Sequence, residues 1–240
     1  MNSPAPAAAE VELYSSLGLS WAGKETPAAP RVLSLLSSFL ERAIQKNDKP
    51  IEEKNREKKG STTIFHGLRA PNLTINSYLE RIFKYSRCSP SCFVLAEIYI
   101  DRFLQRPGSH LTSLNVHRLL MTSVVVAAKF IDDGFFNNAY YAKVGGVSTG
   151  EMNRLEMSLL FSLDFRLHVT VAAFDRHCRL LETEAAATAA LARSSGHSAP
   201  AGSPPPPASP RRSSRAKKPS GASAAVPAEG TKPPSPSSYI

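Results

Sequence analysis

The sequence predicts an all-α fold: a single lobe of five helices, with one extra helix before it and disordered termini. Three observations predict it. Apolar residues recur at i, i+3, i+4 and i+7 in one stretch after another between Phe65 and Glu184. Capping residues and prolines stand at the ends of those stretches. No hairpin signal or strand alternation occurs in the same interval.

Residues 1–29 are rich in Ala, Pro and Ser and read as a loose N-terminal segment, with Tyr14 and Trp21 as the side chains able to dock on a folded surface. The extra helix follows. Val32, Leu35, Leu36, Phe39, Leu40 and Ala43 form one stripe, and Pro30 suits a helix start. Residues 46–60 are nearly all charged and of mixed sign, which reads as a solvated linker, so the segment 30–64 is a helix plus a linker.

The lobe proper spans 65–184. Its first helix carries Ile75, Leu79, Ile82 and Phe83 on one face, with Asn72 or Thr74 as cap. The second opens at Ser89-Pro90, runs through Phe93, Leu95, Ile98, Tyr99 and Phe103, and stops at Pro107-Gly108. The third starts near Thr112 or Ser113 and ends at Asp132-Asp133-Gly134. Its middle, Leu119 to Ala128, is apolar or small on every face, so other helices must enclose it. Val124 to Val126 would also suit a buried strand, but length favours helix. The fourth begins at the capping-box pattern Ser148-Thr149-Gly150-Glu151 and buries Met152, Leu155, Leu159 and Leu160. The stretch from Phe135 to Val147, broken by Gly145-Gly146, reads as a connector. The fifth starts at Thr170 and places Val171, Phe174, Cys178 and Leu181 at helical spacing.

Composition limits what this lobe does. The 240 residues carry a net charge of +9, but about six of those charges lie in the Pro/Ser-rich stretch 186–240, so the basicity belongs to the tail. Three cysteines build no disulfide framework and point to a reducing compartment. No secretory signal is visible, and the most apolar run is about half a bilayer span. A soluble protein of nucleus and cytoplasm is expected, without a membrane partner.

No catalytic constellation emerges. Cys88 and Cys92 have a spacing that two metal ligands could use, but no second Cys/His pair completes a tetrahedral set, so buried thiols are the better reading. His177 and Cys178 are neighbours on a helix and point apart. The run Gly145 to Gly150 lacks the Lys-Ser/Thr ending of a phosphate loop. Asp132-Asp133 lacks the further ligands of a calcium site. No metal, cofactor or small-molecule ligand is expected. Two charges remain unexplained. Lys129 ends the apolar run of the third helix, and either snorkels there or leaves the bundle to meet a partner. Glu156 sits between Leu155 and Met157, either on a solvated flank or beside that same partner.

At this point the residues carry a resemblance. Tyr99-Ile100-Asp101-Arg102-Phe103-Leu104 resembles the second helix of a cyclin box. Ala127-Ala128-Lys129-Phe130 with Asp132-Asp133 resembles the end of its third helix, and Met152 to Glu156 with Leu159-Leu160 and Leu163-Asp164-Phe165 its fourth. Upstream, Tyr78-Leu79-Glu80-Arg81-Ile82 and the block Cys88 to Phe93 resemble the plant P-type, or U-type, cyclins, which are similar to the yeast cyclins of phosphate signalling. The mitotic cyclins carry two such lobes; one is present here. The resemblance implies a non-enzymatic regulatory subunit of a cyclin-dependent protein kinase, acting in the cell cycle or in nutrient signalling. It implies that Lys129 and Glu156 contact the kinase, with Phe130, Leu159 and Phe136 supplying apolar area around them. It also implies an internal ion pair between Asp101 and Arg81.

The tail, 185–240, reads as disordered. Arg211, Arg212, Arg215, Lys217 and Lys218 form a basic cluster that suits a nuclear localisation signal or a nonspecific nucleic-acid patch. Ser209-Pro210 beside it resembles a proline-directed phosphorylation site. The competing reading of the whole chain is a transcription-complex or nucleic-acid-binding protein with the same lobe. One lobe, no zinc-ligand set and basic residues confined to tail and linker make nucleic acid the weaker partner.

Overall fold

The computed structural model describes residues 8–19, 29–54 and 63–195, and among them every regular element is a helix. In chain order these are α1 (Ala8–Leu17), α2 (Arg31–Lys54), α3 (Ile75–Ser86), α4 (Ser91–Leu104), α5 (Val116–Ile131), α6 (Asn138–Gly145), α7 (Thr149–Ser162) and α8 (Val171–Ser195). None of them is long and apolar enough to cross a membrane. The fold is all-α, and α3, α4, α5, α7 and α8 are the five helices read from periodicity.

The hub is α5. Every residue from Leu119 to Ala128 is buried, as an all-round apolar helix requires. It packs against α3, α4, α6 and α7, and α4 packs in turn on α8 and α2. The valines do not make it a strand, because helices enclose it on all sides and tertiary burial outweighs weak local preference. Its few polar groups fit that burial; the Thr122 hydroxyl donates back to the Arg118 carbonyl at 2.7 Å.

Helix starts follow cap chemistry. The Thr74 oxygen accepts from the Ser77 amide, the Ser148 oxygen from Glu151, and the Thr170 oxygen from Ala173. The Glu151 carboxylate does not complete the capping box; it pairs with Arg118 on α5 at 2.5 Å. Two starts differ from expectation. The helix α5 begins at Val116, because Asn115 accepts from the Thr112 amide and holds residues 112–115 in a turn. The helix α4 begins at Ser91, and the Ser89 amide donates instead to Asp132 at 2.9 Å.

Four segments expected to be irregular are helical. Within the N-terminal segment, α1 docks Leu13 and Leu17 into the core, and Tyr14 donates its hydroxyl to Asp175 and meets the Phe174 ring edge-on at 5.9 Å. Trp21 lies outside the described residues. The charged stretch read as linker continues α2 as far as Lys54, tied down where Asn47 donates to the Leu111 carbonyl at 2.9 Å. The supposed connector holds α6, which Asn137 caps by accepting from Tyr140 and which Gly146 ends with a φ of 74°. There Gly145 permits close packing on α5, since a Cβ would come within 2.9 Å of Met121 Cγ. Finally, α8 continues past Glu184 to Ser195, and the alanines from Ala185 to Ala190 supply the helix propensity. Ser209, Arg211, Arg212, Arg215, Lys217 and Lys218 lie outside the described residues.

Candidate partner-binding site

The last turn of α5 and the middle of α7 come together at the surface. Lys129 Nζ meets Glu156 Oε1 at 2.6 Å, with side-chain exposures of 26% and 16%. The two charges therefore neutralise each other in this structure rather than standing free. A third residue completes the arrangement. Asn138, in the first turn of α6, donates its amide to Glu156 Oε2 at 2.6 Å and to Asn153 Oδ1 at 2.8 Å. Each oxygen of Glu156 thus accepts one hydrogen bond. Asn138 Oδ1 is buried with no donor among the described residues, so the group retains one unused acceptor.

The reason these residues meet is local. The apolar run of α5 ends at Ala128, and the next turn emerges from the bundle, leaving Lys129 half-buried and Phe130 46% exposed. On α7, Met152, Leu155 and Leu159 form the buried stripe, and Glu156 lies on its flank one turn from Asn153. Capped by Asn137, α6 delivers Asn138 between them.

Apolar side chains stand exposed on the same elements. Phe130 and Ile131 end α5, Phe135 follows it, and Met157 and Phe161 form an i, i+4 stripe along the outer face of α7. Phe165 extends that stripe, its ring edge-on to Phe161 at 5.2 Å. Exposed apolar side chains on the elements that carry a small polar group are the pattern of a protein-binding face.

Of the expected apolar contributors, Phe130 lies on this face. Phe136 is half-buried, stacked on Tyr140 at 4.1 Å, and faces partly inward. Leu159 must be corrected: it is fully buried in the core and presents no surface. It shares the stripe of Met152 and Leu155, whereas Met157 and Phe161, which spacing alone did not single out, face outward.

The expected Arg81–Asp101 ion pair is not formed. Arg81 Nε donates to the Val144 carbonyl at 2.9 Å and its Nη2 to Lys143 at 3.2 Å, capping the C-terminus of α6. Asp101 accepts from Gln105, one turn ahead on α4, at 2.8 Å. The last carbonyls of an unanticipated helix supply the arginine with its partners.

A buried carboxyl–imidazole pair lies elsewhere. Glu97, alone among the apolar residues of α4, meets His177 Nδ1 of α8 at 2.5 Å. Burial pushes the Glu97 carboxyl above the usual carboxylate range, and the histidine partner opposes that push. His177 thus bonds across helices and not to Cys178, whose thiol burial pushes up to about 12. The Cys92 thiol is raised by its hydrogen bond to Cys88 and by burial, and it donates to Asp132 at 3.2 Å. Among the described residues no three His, Cys, Asp or Glu side chains are grouped to hold a metal.

Comparison with known proteins bears on this face. The cyclin family model matches residues 30–167. Cyclin-P3-1 of Oryza sativa subsp. japonica is 59% identical over 175 residues, which is 72% of this chain and 73% of that relative. Cyclin-U3-1 of Arabidopsis thaliana is 52% identical over 180 residues, 75% of this chain and 80% of the relative. Cyclin-P4-1 of Oryza sativa subsp. japonica is 49% identical over 164 residues, 68% and 77% respectively. An all-helical lobe with three family motifs in order, matched over more than half its length, leaves one assignment: the chain belongs to the cyclin family and resembles its plant P-type and U-type members.

Proposed function

We propose that this cyclin binds the catalytic subunit of a cyclin-dependent protein kinase and holds it in its active state. The supporting observation is the Lys129–Glu156–Asn138 group set among exposed Phe130, Ile131, Phe135, Met157 and Phe161. The chain supplies no chemistry of its own in this reading. A kinase of this kind needs a strand lysine paired to a glutamate on a mobile helix. A rigid surface that binds only the inward position of that helix shifts its population inward. Taking a kinase from about 1% to about 99% active requires roughly 5.5 kcal/mol of differential binding. Exposed aromatic side chains at the centre of an interface supply energy of that order.

The ion pair gives the surface its selectivity. Lys129 offers two further N–H donors, which suit the carbonyl groups of a helix end or loop. Once enclosed by a partner, loss of either charge leaves its counterpart buried and unpaired, at a cost of about 2–4 kcal/mol. Reconstitution with purified candidate kinases tests the proposal. The wild-type chain raises histone or peptide phosphorylation and co-elutes with the kinase, whereas Lys129→Ala and Glu156→Ala each lose co-elution. Undiminished co-elution of both variants contradicts it.

The basic run Arg211, Arg212, Arg215, Lys217 and Lys218 serves, in the same proposal, as a nuclear import signal, with Ser209 as a phosphorylation site that lowers its charge. A fluorescent fusion with those five residues changed to alanine then loses nuclear accumulation; unchanged distribution rejects the signal.

A further inference from the structure

A half-open cleft of about 730 Å³ lies where the C-terminal end of α4 meets the connection from α7 to α8. Its lining carries Arg102, Arg106, Arg166 and His168 against a single carboxylate, Asp164. The arginines differ in what they already hold. Arg102 donates to the carbonyls of Arg166 at 2.6 Å and His168 at 3.1 Å, fastening the connection to α4. Arg166 pairs with Asp164 at 2.7 Å, both well exposed. Arg106 is exposed, and among the described residues its guanidinium makes no hydrogen bond or ion pair.

Two helix C-termini point towards this cleft, and their negative ends would account for one nearby cation each. Loop amides already meet several of the carbonyls there: Gln105 N–H donates to Asp101 O, Arg106 to Phe103 and Phe165 to Leu160. With Arg102 held by backbone and Arg166 by Asp164, Arg106 is the cleft arginine whose guanidinium no described group engages. Asp164 and Phe165 hold the cleft in shape at a cost, both in left-handed backbone with φ of 50° and 54°.

We propose that this cleft receives a phosphorylated serine or threonine within an extended segment of a substrate protein, its phosphoryl oxygens bound by Arg106 and Arg166. The planar guanidinium fork matches phosphate oxygens in pairs. The cleft far exceeds the volume of a phosphate ion, and Pro107, Leu163 and Leu167 line it with apolar surface for flanking residues. Phe165 belongs both to the cleft and to the exposed stripe proposed to dock the kinase. Resting on that reading, the cleft captures segments that such a kinase has already phosphorylated and holds them beside it.

The test uses the purified full-length chain without any kinase. An immobilised peptide library, degenerate around one fixed phosphothreonine, is compared with its unphosphorylated twin. Retention on the phosphorylated library is expected to be at least about ten-fold greater, falling about ten-fold for Arg106→Ala and for Arg166→Ala, in line with the loss of a charge-assisted bond. Arg69→Ala, an exposed arginine outside the cleft, controls for net charge. Equal retention on both libraries overturns the proposal, as does full retention of the Arg106→Ala Arg166→Ala double variant. Elution by inorganic phosphate as effective as elution by soluble phosphopeptide assigns the cleft to free phosphate and overturns the peptide assignment. Library binding without kinase capture rejects the docking reading alone, and kinase capture without library binding rejects the cleft alone.

Discussion

Two of the carboxyl contacts that join helices in this molecule differ in their surroundings, and the difference divides their labour. Glu97 and His177 lie between α4 and α8, with side-chain exposures of 2% and 12%. Lys129 and Glu156 lie between α5 and α7 at the rim of the lobe, where water still reaches both. The first pair has no route to a partner protein, so its geometry serves the fold. The second has solvent, and exposed Phe130, Ile131 and Met157 stand on the same two helices. A short contact between a carboxyl group and a nitrogen is common to both; burial decides which one is available for recognition.

Breaking the buried pair should have the largest effect on the fold. Glu97→Ala strands His177 and leaves a cavity, so we expect about 3–5 kcal/mol of lost stability in urea denaturation. A loss under 1 kcal/mol would show that the pair is not enclosed in solution. The same residue sets a pH dependence. Its folded pKa lies above the ordinary value of 4.5, so the folded chain keeps a proton that the unfolded chain releases. The Glu97 contribution is therefore fully present below about pH 4.5 and is lost as pH rises through the folded value. Glu97→Gln should remove that slope from the melting temperature measured across mildly acid pH.

Breaking the rim pair should leave the fold nearly intact, with about 1 kcal/mol of lost stability for Lys129→Ala, while kinase binding weakens by the larger amount given above. The charge swap Lys129→Glu with Glu156→Lys sharpens the contrast. It restores an internal pair but presents reversed charges to a partner. We expect melting to recover and binding not to; recovery of both would mean that the pair only stiffens the lobe.

Smaller effects follow. Asn138→Ala removes one hydrogen bond from Glu156, and kinase affinity should fall several-fold without a shift in melting beyond a few degrees. Asp101→Ala should cost less than about 0.5 kcal/mol, because the Asp101–Gln105 bond is solvent-exposed and no ion pair is lost. A cost of several kcal/mol there would restore the expected pairing with Arg81.

The contrast also explains how much was legible in the sequence. Long amphipathic runs with polar caps, such as α3 from Thr74 and α7 from Ser148, announce themselves because periodicity and capping agree. The eight residues of α6 are too few to show a period, although Asn137 and Gly146 at their ends were readable signals. The short α1 and the alanine-rich end of α8 show no clear stripe, so composition pointed to disorder. Glu97 was visible as the one charge in the run Cys92 to Ile100, yet only a fold shows which helix answers it. For the candidate site, Lys129 and Glu156 stood out as charges beside apolar runs. Asn138 and the choice between Leu159 and its outward neighbours needed the actual helix rotation, since a shift of one residue turns a side chain by about 100°.

The central claim is that the rim pair addresses a kinase while the buried pair serves the fold. Calorimetric titration of one purified cyclin-dependent kinase into wild-type, Lys129→Ala and Glu156→Ala proteins, each checked to melt within a few degrees of wild type, decides it. Affinity reduced about thirty-fold or more in both variants, at preserved stability, is the predicted result. Equal affinity for all three proteins contradicts it.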